Sequence, residues 1–332
     1  MTASPRLSFA LTNSDVPLPV TGRILVMRPR ATDDLSALPK DRLQIVQGFY
    51  PDHKALADQG FDLIDTPTGD YSAALVYLPR SKVEGQMLIA QAHAATGGGL
   101  ILVDGQKTDG VDSYIRAVKK RTDSPVSVMA KAHGKLVWFS GGEFSDWNVP
   151  AIKSPDGFQT AAGMFSADKV DRGSALLSGV LPDNLSGRVA DLGAGWGYLS
   201  RAILSKAKVS QLTLIEAEKA ALDCARVNIV DPRAEFIWGD ATDVKAPPFD
   251  TIVSNPPFHT SRAGDPGLGQ AFLASAAKLL KPNGDLWIVA NRHLPYEATL
   301  SALFREVSEV GGDSGFKTLY AQYPKVAQKR RR

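Results

Sequence analysis

Cysteine is almost missing from this chain. Cys224 is the only one among 332 residues, which excludes a disulfide framework and any zinc site built on paired thiolates. Histidine is nearly as scarce, and the five present show no metal-ligand spacing, so no metal is expected. Long apolar runs are absent too. Nothing approaches the ~20 consecutive apolar residues of a membrane-spanning helix. Met1 to Asn13 lacks the basic start and apolar stretch of a secretory signal. The chain also lacks a strong excess of either charge. The net charge is +3, and five positive charges fall in Lys325 to Arg332, so the remainder is slightly acidic. That tail is expected to be disordered. It could attract phosphates nonspecifically or simply be solvated, and it does not by itself establish nucleic-acid binding. A cytoplasmic protein off the membrane is the default. What is present, 44% hydrophobic and 22% charged residues, is ordinary globular composition, in a chain long enough for two domains.

The most informative run is Ser254-Asn255-Pro256-Pro257-Phe258, directly after the apolar, strand-like Phe249-Asp250-Thr251-Ile252-Val253. Two prolines cannot continue a central strand, because each lacks the ladder N–H. Proline also restricts the residue before it to extended geometry, so Asn255 is held stiffly at the sheet edge. A stiff Asn amide beside the Pro256 carbonyl offers two acceptors at fixed spacing. Accepting both N–H bonds of an exocyclic amine aims the nitrogen lone pair at an electrophile, and Phe258 can stack on the ring that bears the amine. The run suits methylation of a planar amide or base nitrogen. Its bland alternative is a proline-terminated strand end with a buried Phe.

A second pattern is Val189-Ala190-Asp191-Leu192-Gly193-Ala194-Gly195-Trp196-Gly197. An apolar strand enters a glycine-rich turn, and a helical pattern follows. Glycines at 193, 195 and 197 permit positive φ and close approach of backbone to a ligand, and the helix start behind them is expected to offer free N–H groups. The spacing differs from the G-x-G-x-x-G of nicotinamide enzymes. Asp191 would repel a pyrophosphate but suits a ligand bearing an ammonium group, such as S-adenosylmethionine. The next strand, Gln211 to Ile215, ends in Glu216, placed to accept ribose hydroxyls or merely to open a helix as a solvated acid. A third, Glu235 to Trp238, leads to Asp240 and Ala241, placed for the adenine amine or for an ordinary turn. Each polar group falls at the carboxyl end of a strand, where open α/β sheets bind ligands. Phe165, in the segment before the glycine-loop strand, is placed to cover the methionine end of the donor or to serve as a core residue of a joining helix.

A turn-rich stretch near 145–160 divides the chain. The expected domains are 1–150, 151–324 and a basic tail, 325–332. In the first half, strands are expected at 23–27, 43–46, 73–78, 99–104, 126–130 and 136–140, and helices at 82–95 and 110–120. Gly97-Gly98-Gly99 precedes a strand and reads as a turn, and His133-Gly134 reads as a hairpin tip. Neither the glycine loop nor Asn-Pro-Pro recurs there, so the first half reads as a duplicated copy without the chemistry. Its basic residues Arg28, Arg30, Arg80, Lys82, Arg116, Lys119, Lys120 and Arg121 could face phosphates or be ordinary solvated charges.

Gly163-Met164-Phe165-Ser166 with Asp171-x-Gly173-Ser174, Asp191-x-Gly-x-Gly, Ser254-Asn255-Pro256-Pro257-Phe258-His259, and Ile288-Val289-Ala290-Asn291-x-x-Leu294-Pro295-Tyr296 together resemble the ribosomal RNA small subunit methyltransferase C family. The resemblance covers residues 157 to 323, and Leu78-Pro79-Arg80-Ser81-Lys82 resembles the family's degenerate first domain. Ala194 and Trp196 stand where the family often carries a cysteine-containing loop. The resemblance implies an α/β protein of two tandem Rossmann-like methyltransferase domains. The second would be a mostly parallel seven-stranded sheet with helices on both faces, and the first would be degenerate. It implies an S-adenosylmethionine-dependent enzyme, a monomer, that methylates the N2 amine of a guanine in 16S RNA of the 30S subunit. Asn255, Pro256, Pro257 and Phe258 would be catalytic, with His259 adjacent. Phe165, Asp191, Gly193, Ala194, Gly195, Glu216, Asp240 and Ala241 would bind the donor, and Asn255 counts with them as well. Alternatives are guanine N2 of 23S RNA, adenine N6 of DNA, a protein glutamine, or a noncatalytic RNA-binding assembly protein.

Overall fold

The computed structural model describes residues 6–13, 16–149, 152–153, 156–257 and 266–325. The chain divides into two compact units, Met1–Ala151 and Ile152–Arg332. Phe258, His259 and the tail beyond Lys325 lie outside the described residues. Among the described residues no helix is long and apolar enough to cross a membrane.

The first unit runs α1 (Arg6–Asn13), β1 (Ile24–Met27), β2 (Leu43–Val46), α2 (Tyr50–Asp58), β3 (Asp62–Leu63), β4 (Ala73–Tyr77), α3 (Lys82–Ala95), β5 (Leu100–Gln106), α4 (Val111–Lys119), β6 (Ser127–Lys131) and β7 (Gly134–Phe139). Its sheet order is β3-β2-β1-β4-β5-β7-β6, parallel except where β7 meets β5 and β6. Residues alternate between the two faces of each strand. Leu25, Met27, Val76 and Val103 pack under α3 and α4, while Ile24, Val26, Leu75 and Leu102 pack with Leu7 of α1 and Leu56 of α2. Ala132 and His133, both at positive φ, form the tip between β6 and β7, one residue ahead of the expected His133-Gly134, because Gly134 already pairs with Lys131. α1 is pinned by a buried ion pair, Arg6 to Asp104, and Arg6 Nη1 also donates to the carbonyls of Lys131 and Ala132.

The second unit begins with a small hairpin, β8 (Ile152–Lys153) and β9 (Gln159–Thr160), then α5 (Arg172–Val180). It continues β10 (Ser186–Leu192), α6 (Tyr198–Leu204), β11 (Lys208–Glu216), α7 (Lys219–Asn228), β12 (Ala234–Trp238), β13 (Phe249–Ser254), α8 (Pro266–Leu279), β14 (Leu280–Asn291), α9 (Tyr296–Leu303), β15 (Phe304–Gly312) and β16 (Phe316–Pro324). The order β12-β11-β10-β13-β14-β16-β15 repeats that of the first sheet. One face packs on α8 and α9 through Phe272, Leu273 and Leu300, and the other on α5, α6 and α7 through Leu177, Ile203 and Leu222. Cys224 is buried in α7 as a small apolar residue, and burial pushes its thiol up to about 11.

The two units differ where ligand chemistry would be. In the second, α6 follows β10. In the first, residues 28–39 between β1 and β2 form no helix, only turns ahead of a single 3-10 turn at Lys40–Arg42. Leu78 and Pro79 follow β4 as Asn255 and Pro256 follow β13, and Leu78 has no polar group to offer. The first unit therefore keeps the sheet and lacks both the donor-side helix and the amide.

Both units share one unusually close contact. The fourth residue of α3 is Gly85 and the fourth of α8 is Gly269. A Cβ on Gly85 would collide with the Tyr114 hydroxyl, and one on Gly269 with the Tyr296 hydroxyl. Alanine is the better helix former by about 1 kcal/mol, yet Gly269→Ala is expected to cost about 1–3 kcal/mol through overpacking. Thermal unfolding should show a lowered Tm, partly regained when Tyr296→Phe is added.

Candidate active site

The sheet register brings the proposed residues to one edge. Leu192 of β10 pairs with Ile215 of β11 and with Ser254 of β13, and Glu216 pairs with Trp238. The ends of four strands thus lie in one row. Ser254 Oγ donates to the Leu192 carbonyl at 2.7 Å, which fixes the strand end bearing Asn255 against the start of the glycine loop.

Gly193, Gly195 and Gly197 all adopt positive φ, at 75°, 56° and 94°, so the loop requires glycine there. The amides of Gly193, Ala194, Gly195 and Gly197 are not free. Gly193 and Ala194 donate to the Ile215 carbonyl, Gly197 to that of Ala194, and Gly195 to Glu216 Oε2 at 2.8 Å. The loop has spent its donors on its own chain because β11 lies one strand away and supplies both a carbonyl and a carboxylate. What it presents is acidic. That arrangement does not suit a pyrophosphate, which needs free N–H groups.

Asp191 is fully buried at the end of β10. Its Oδ2 accepts from Ser200 Oγ at 2.7 Å, while its Oδ1 is buried with no hydrogen-bond partner. Burial pushes the carboxyl up to about 7, with repulsion from Glu216 adding to the rise and the Ser200 bonds opposing it. Glu216 accepts through Oε1 from the Glu218 amide at 2.7 Å, and burial raises its carboxyl as well. Asp240 Oδ1 accepts from the amide and hydroxyl of Thr242, and the Ala241 carbonyl from Ser275.

These residues fit S-adenosylmethionine. The orphaned Asp191 oxygen calls for a cation or donor, which an ammonium supplies. Glu216 keeps lone pairs for hydroxyls, and the space where a Gly195 Cβ would point is open, with no atom within 4 Å. Phe165 lies beside this loop. Its carbonyl accepts from the Trp196 indole at 3.1 Å, and the residue is 71% exposed.

The bulk of Trp196 points away from the loop. It packs with Phe158, Tyr198 and Cys224, and the Asn228 side chain of α7 donates to the Trp196 carbonyl and to that of Gln159 and accepts from the Gln159 backbone N–H. Sequence reasoning missed this brace, as well as Ser200. An Asn at the end of a helix gives no local sign of a partner 69 residues away.

Asn255 is part-buried, Pro256 buried and Pro257 exposed. The Asn255 side-chain nitrogen donates to Asp171 Oδ2 at 2.9 Å and lies 2.8 Å from Ser174 Oγ. Of the basic residues singled out in the first unit, Arg28 pairs with Glu84, and Arg121 pairs with Asp146 and stacks on Trp147. No group of residues able to hold a metal occurs among the described residues.

A doubly wound sheet whose carboxyl edge carries an acid-lined glycine loop and a proline-stiffened asparagine defines an S-adenosylmethionine-dependent methyltransferase. Residues 157–320 match the family described as the methyltransferase small domain. The ribosomal RNA small subunit methyltransferase C of Shewanella sp. (strain MR-7) is 31% identical over 322 residues, spanning 89% of this chain and 92% of that protein. The protein of the same name from Shewanella oneidensis is 30% identical over 266 residues, spanning 76% and 77%. This chain belongs to the ribosomal RNA small subunit methyltransferase C family. In fold it matches a solved 16S rRNA N2 methyltransferase (RsmC) from T. thermophilus, in complex with AdoMet and guanosine. The TM-score is 0.78 at 21% identity, covering 96% of this chain and 91% of the other.

Proposed function

We propose that this protein methylates the exocyclic N2 amine of a guanine in 16S ribosomal RNA, with the 30S subunit or its RNA as partner, in the cytoplasm. The observation that carries the reading is the held amide of Asn255. Its nitrogen is held by Asp171 and Ser174, and we read its oxygen, on the other arm of the amide plane, as the acceptor for a substrate amine. The relatives named above supply the RNA class.

S-adenosylmethionine, when bound, supplies a methyl group on a positively charged sulfur. The chain does the rest by positioning. A guanine amine is a poor nucleophile because its lone pair is delocalised into the ring. Asn255 Oδ1 and the Pro256 carbonyl accept its two N–H bonds and favour a pyramidal nitrogen. As positive charge grows on that nitrogen the two acceptors hold it more strongly, which is differential stabilisation of the transition state. No strong base is required, since the proton leaves only after the nitrogen is alkylated. Orientation within a fixed edge accounts for much of the gain. A base in a duplex cannot reach this edge and must be unpaired or flipped. Asp191, Glu216 and Asp240 hold the donor, and Phe165 covers it. Phe258 is assigned the stacking face. The first unit serves as RNA-binding surface or support.

The test uses methyl-labelled S-adenosylmethionine with 30S subunits, 50S subunits, naked 16S RNA and DNA, followed by digestion to nucleosides. Label is expected in N2-methylguanosine from the small-subunit RNA. Label confined to 50S RNA, to adenine or to protein would replace the substrate.

A further inference from the structure

The contact that orients Asn255 assigns work to two residues outside the donor site. Asp171 is the N-cap of α5, and its Oδ2 accepts from the Ser174 amide at 2.8 Å. The same oxygen accepts from Asn255 Nδ2, 84 residues later in the chain. An ordinary N-cap needs one bond; this one makes a second, to the strand end that carries the chemistry. Ser174, one turn into α5 and buried, brings its hydroxyl to the same amide nitrogen.

A primary amide is nearly symmetric in shape, and its terminal torsion is a broad two-fold well. Packing alone would not decide which arm carries oxygen. Chemistry decides. Oδ2 of Asp171 already accepts from one N–H, so it can offer only another acceptor site to Asn255. Nitrogen must face it, and oxygen must face away. A flipped amide would set oxygen against carboxylate on one side and N–H₂ against the substrate's N–H₂ on the other. Gly173 belongs to the same device. A Cβ there would come within 3.0 Å of Asp171 Oδ2 and 3.2 Å of the Phe316 ring, so glycine at this helical position leaves the carboxylate room.

We infer that Asp171, with Ser174, is a positioning residue for methyl transfer, locking the Asn255 amide with its oxygen toward the substrate amine. The inference rests on the reading that Asn255 accepts that amine.

Asp171→Ser is the sharp variant. Serine keeps the helix cap, but its shorter side chain cannot also hold Asn255. Turnover is expected to fall on the order of 10²-fold, with the affinity for S-adenosylmethionine and the Tm unchanged. A paired exchange adds a rescue. Asn255→Asp alone sets two carboxylates face to face and should be inactive. Adding Asp171→Asn restores a donor facing an acceptor and should regain about tenfold or more, the coupling expected of residues in contact. A readout that needs no RNA is the Asn255 side-chain N–H₂ pair in nitrogen-15 NMR, assigned by its loss in Asn255→Ala. Those protons should be protected from exchange in the wild type and lose protection in Asp171→Ser. Wild-type turnover in Asp171→Ser, a loss explained by lower Tm or donor affinity, absence of rescue, or unprotected protons in the wild type would each overturn the lock. If Asn255→Ala itself keeps full activity, the amine-acceptor reading fails first. If it is inactive while Asp171→Ser is not, only the lock fails.

Discussion

Asn255→Ala abolishes methyl transfer, by about 10²- to 10³-fold or more, while S-adenosylmethionine still binds: that is the expected result of the most direct substitution. The amide oxygen is one of two acceptors that gain strength as positive charge develops on the substrate nitrogen. Removing it leaves the Pro256 carbonyl alone, and the amine loses both its aim and half its stabilisation. Donor affinity should survive because the side chain bonds to Asp171 and Ser174, and neither belongs to the glycine loop. The loop is tied to this strand end through Ser254 Oγ instead, which the substitution leaves in place. Rapid-quench turnover together with calorimetric titration of the donor separates the two quantities. Unchanged binding confines Asn255 to the transfer step. A parallel loss of binding would place it among the donor ligands and remove its assigned role.

The second large effect concerns Asp191. Its orphaned oxygen is the assigned partner of the donor ammonium, and a hydrogen bond between charged groups contributes about 1.5–3 kcal/mol. Asp191→Asn should therefore weaken S-adenosylmethionine binding by about 10- to 100-fold. The raised carboxyl adds a pH signature. Without ligand the group is half protonated at about pH 7, and only the ionised form can pair with an ammonium. Wild-type affinity should climb as pH rises through about 7, then fall near ~8 as a free α-amino group loses its proton. The same carboxyl makes the folded state bind more protons than the unfolded one between pH 3.8 and about 7. The ligand-free protein should lose stability across that window as pH rises, by at most about 1.4 kcal/mol per unit. Asp191→Asn should flatten that slope and raise the Tm at pH 8, with the difference closing toward pH 4. Thermal scans across this range check the sign. A wild-type curve rising with pH between 4 and 7 would show that Asp191 does not control it.

Much of this was legible because strong local signals agreed with the fold. α3 and β2 fall on the expected 82–95 and 43–46, where a serine cap opens one and a short apolar run makes the other. The row of strand ends could be read from polar residues that follow apolar runs. α1 and α2 were missed because each is a short amphipathic piece whose burial depends on partners far off in sequence, Asp104 for Arg6 above all. The glycine loop was visible as a pattern, but the partners of its amides, the Ile215 carbonyl and Glu216, come from a neighbouring strand and leave no trace in the loop itself. Asp171 was visible only as part of a motif; its place as the cap of α5 comes from the structure. Its second bond, across 84 residues, has no local trace.

The paired glycine and tyrosine contacts reach beyond stability. A helix crossing so tight that only a hydrogen fits is difficult to arrive at twice, and easy to inherit. Gly85 with Tyr114 and Gly269 with Tyr296 occur at matching places in two sheets of identical strand order. They are what a head-to-tail duplication of one domain would leave. The first unit keeps the joinery without the donor-side helix and the asparagine. Architecture and chemistry are thus separable in this chain, and the first unit is a natural blank on which a new specificity could be written.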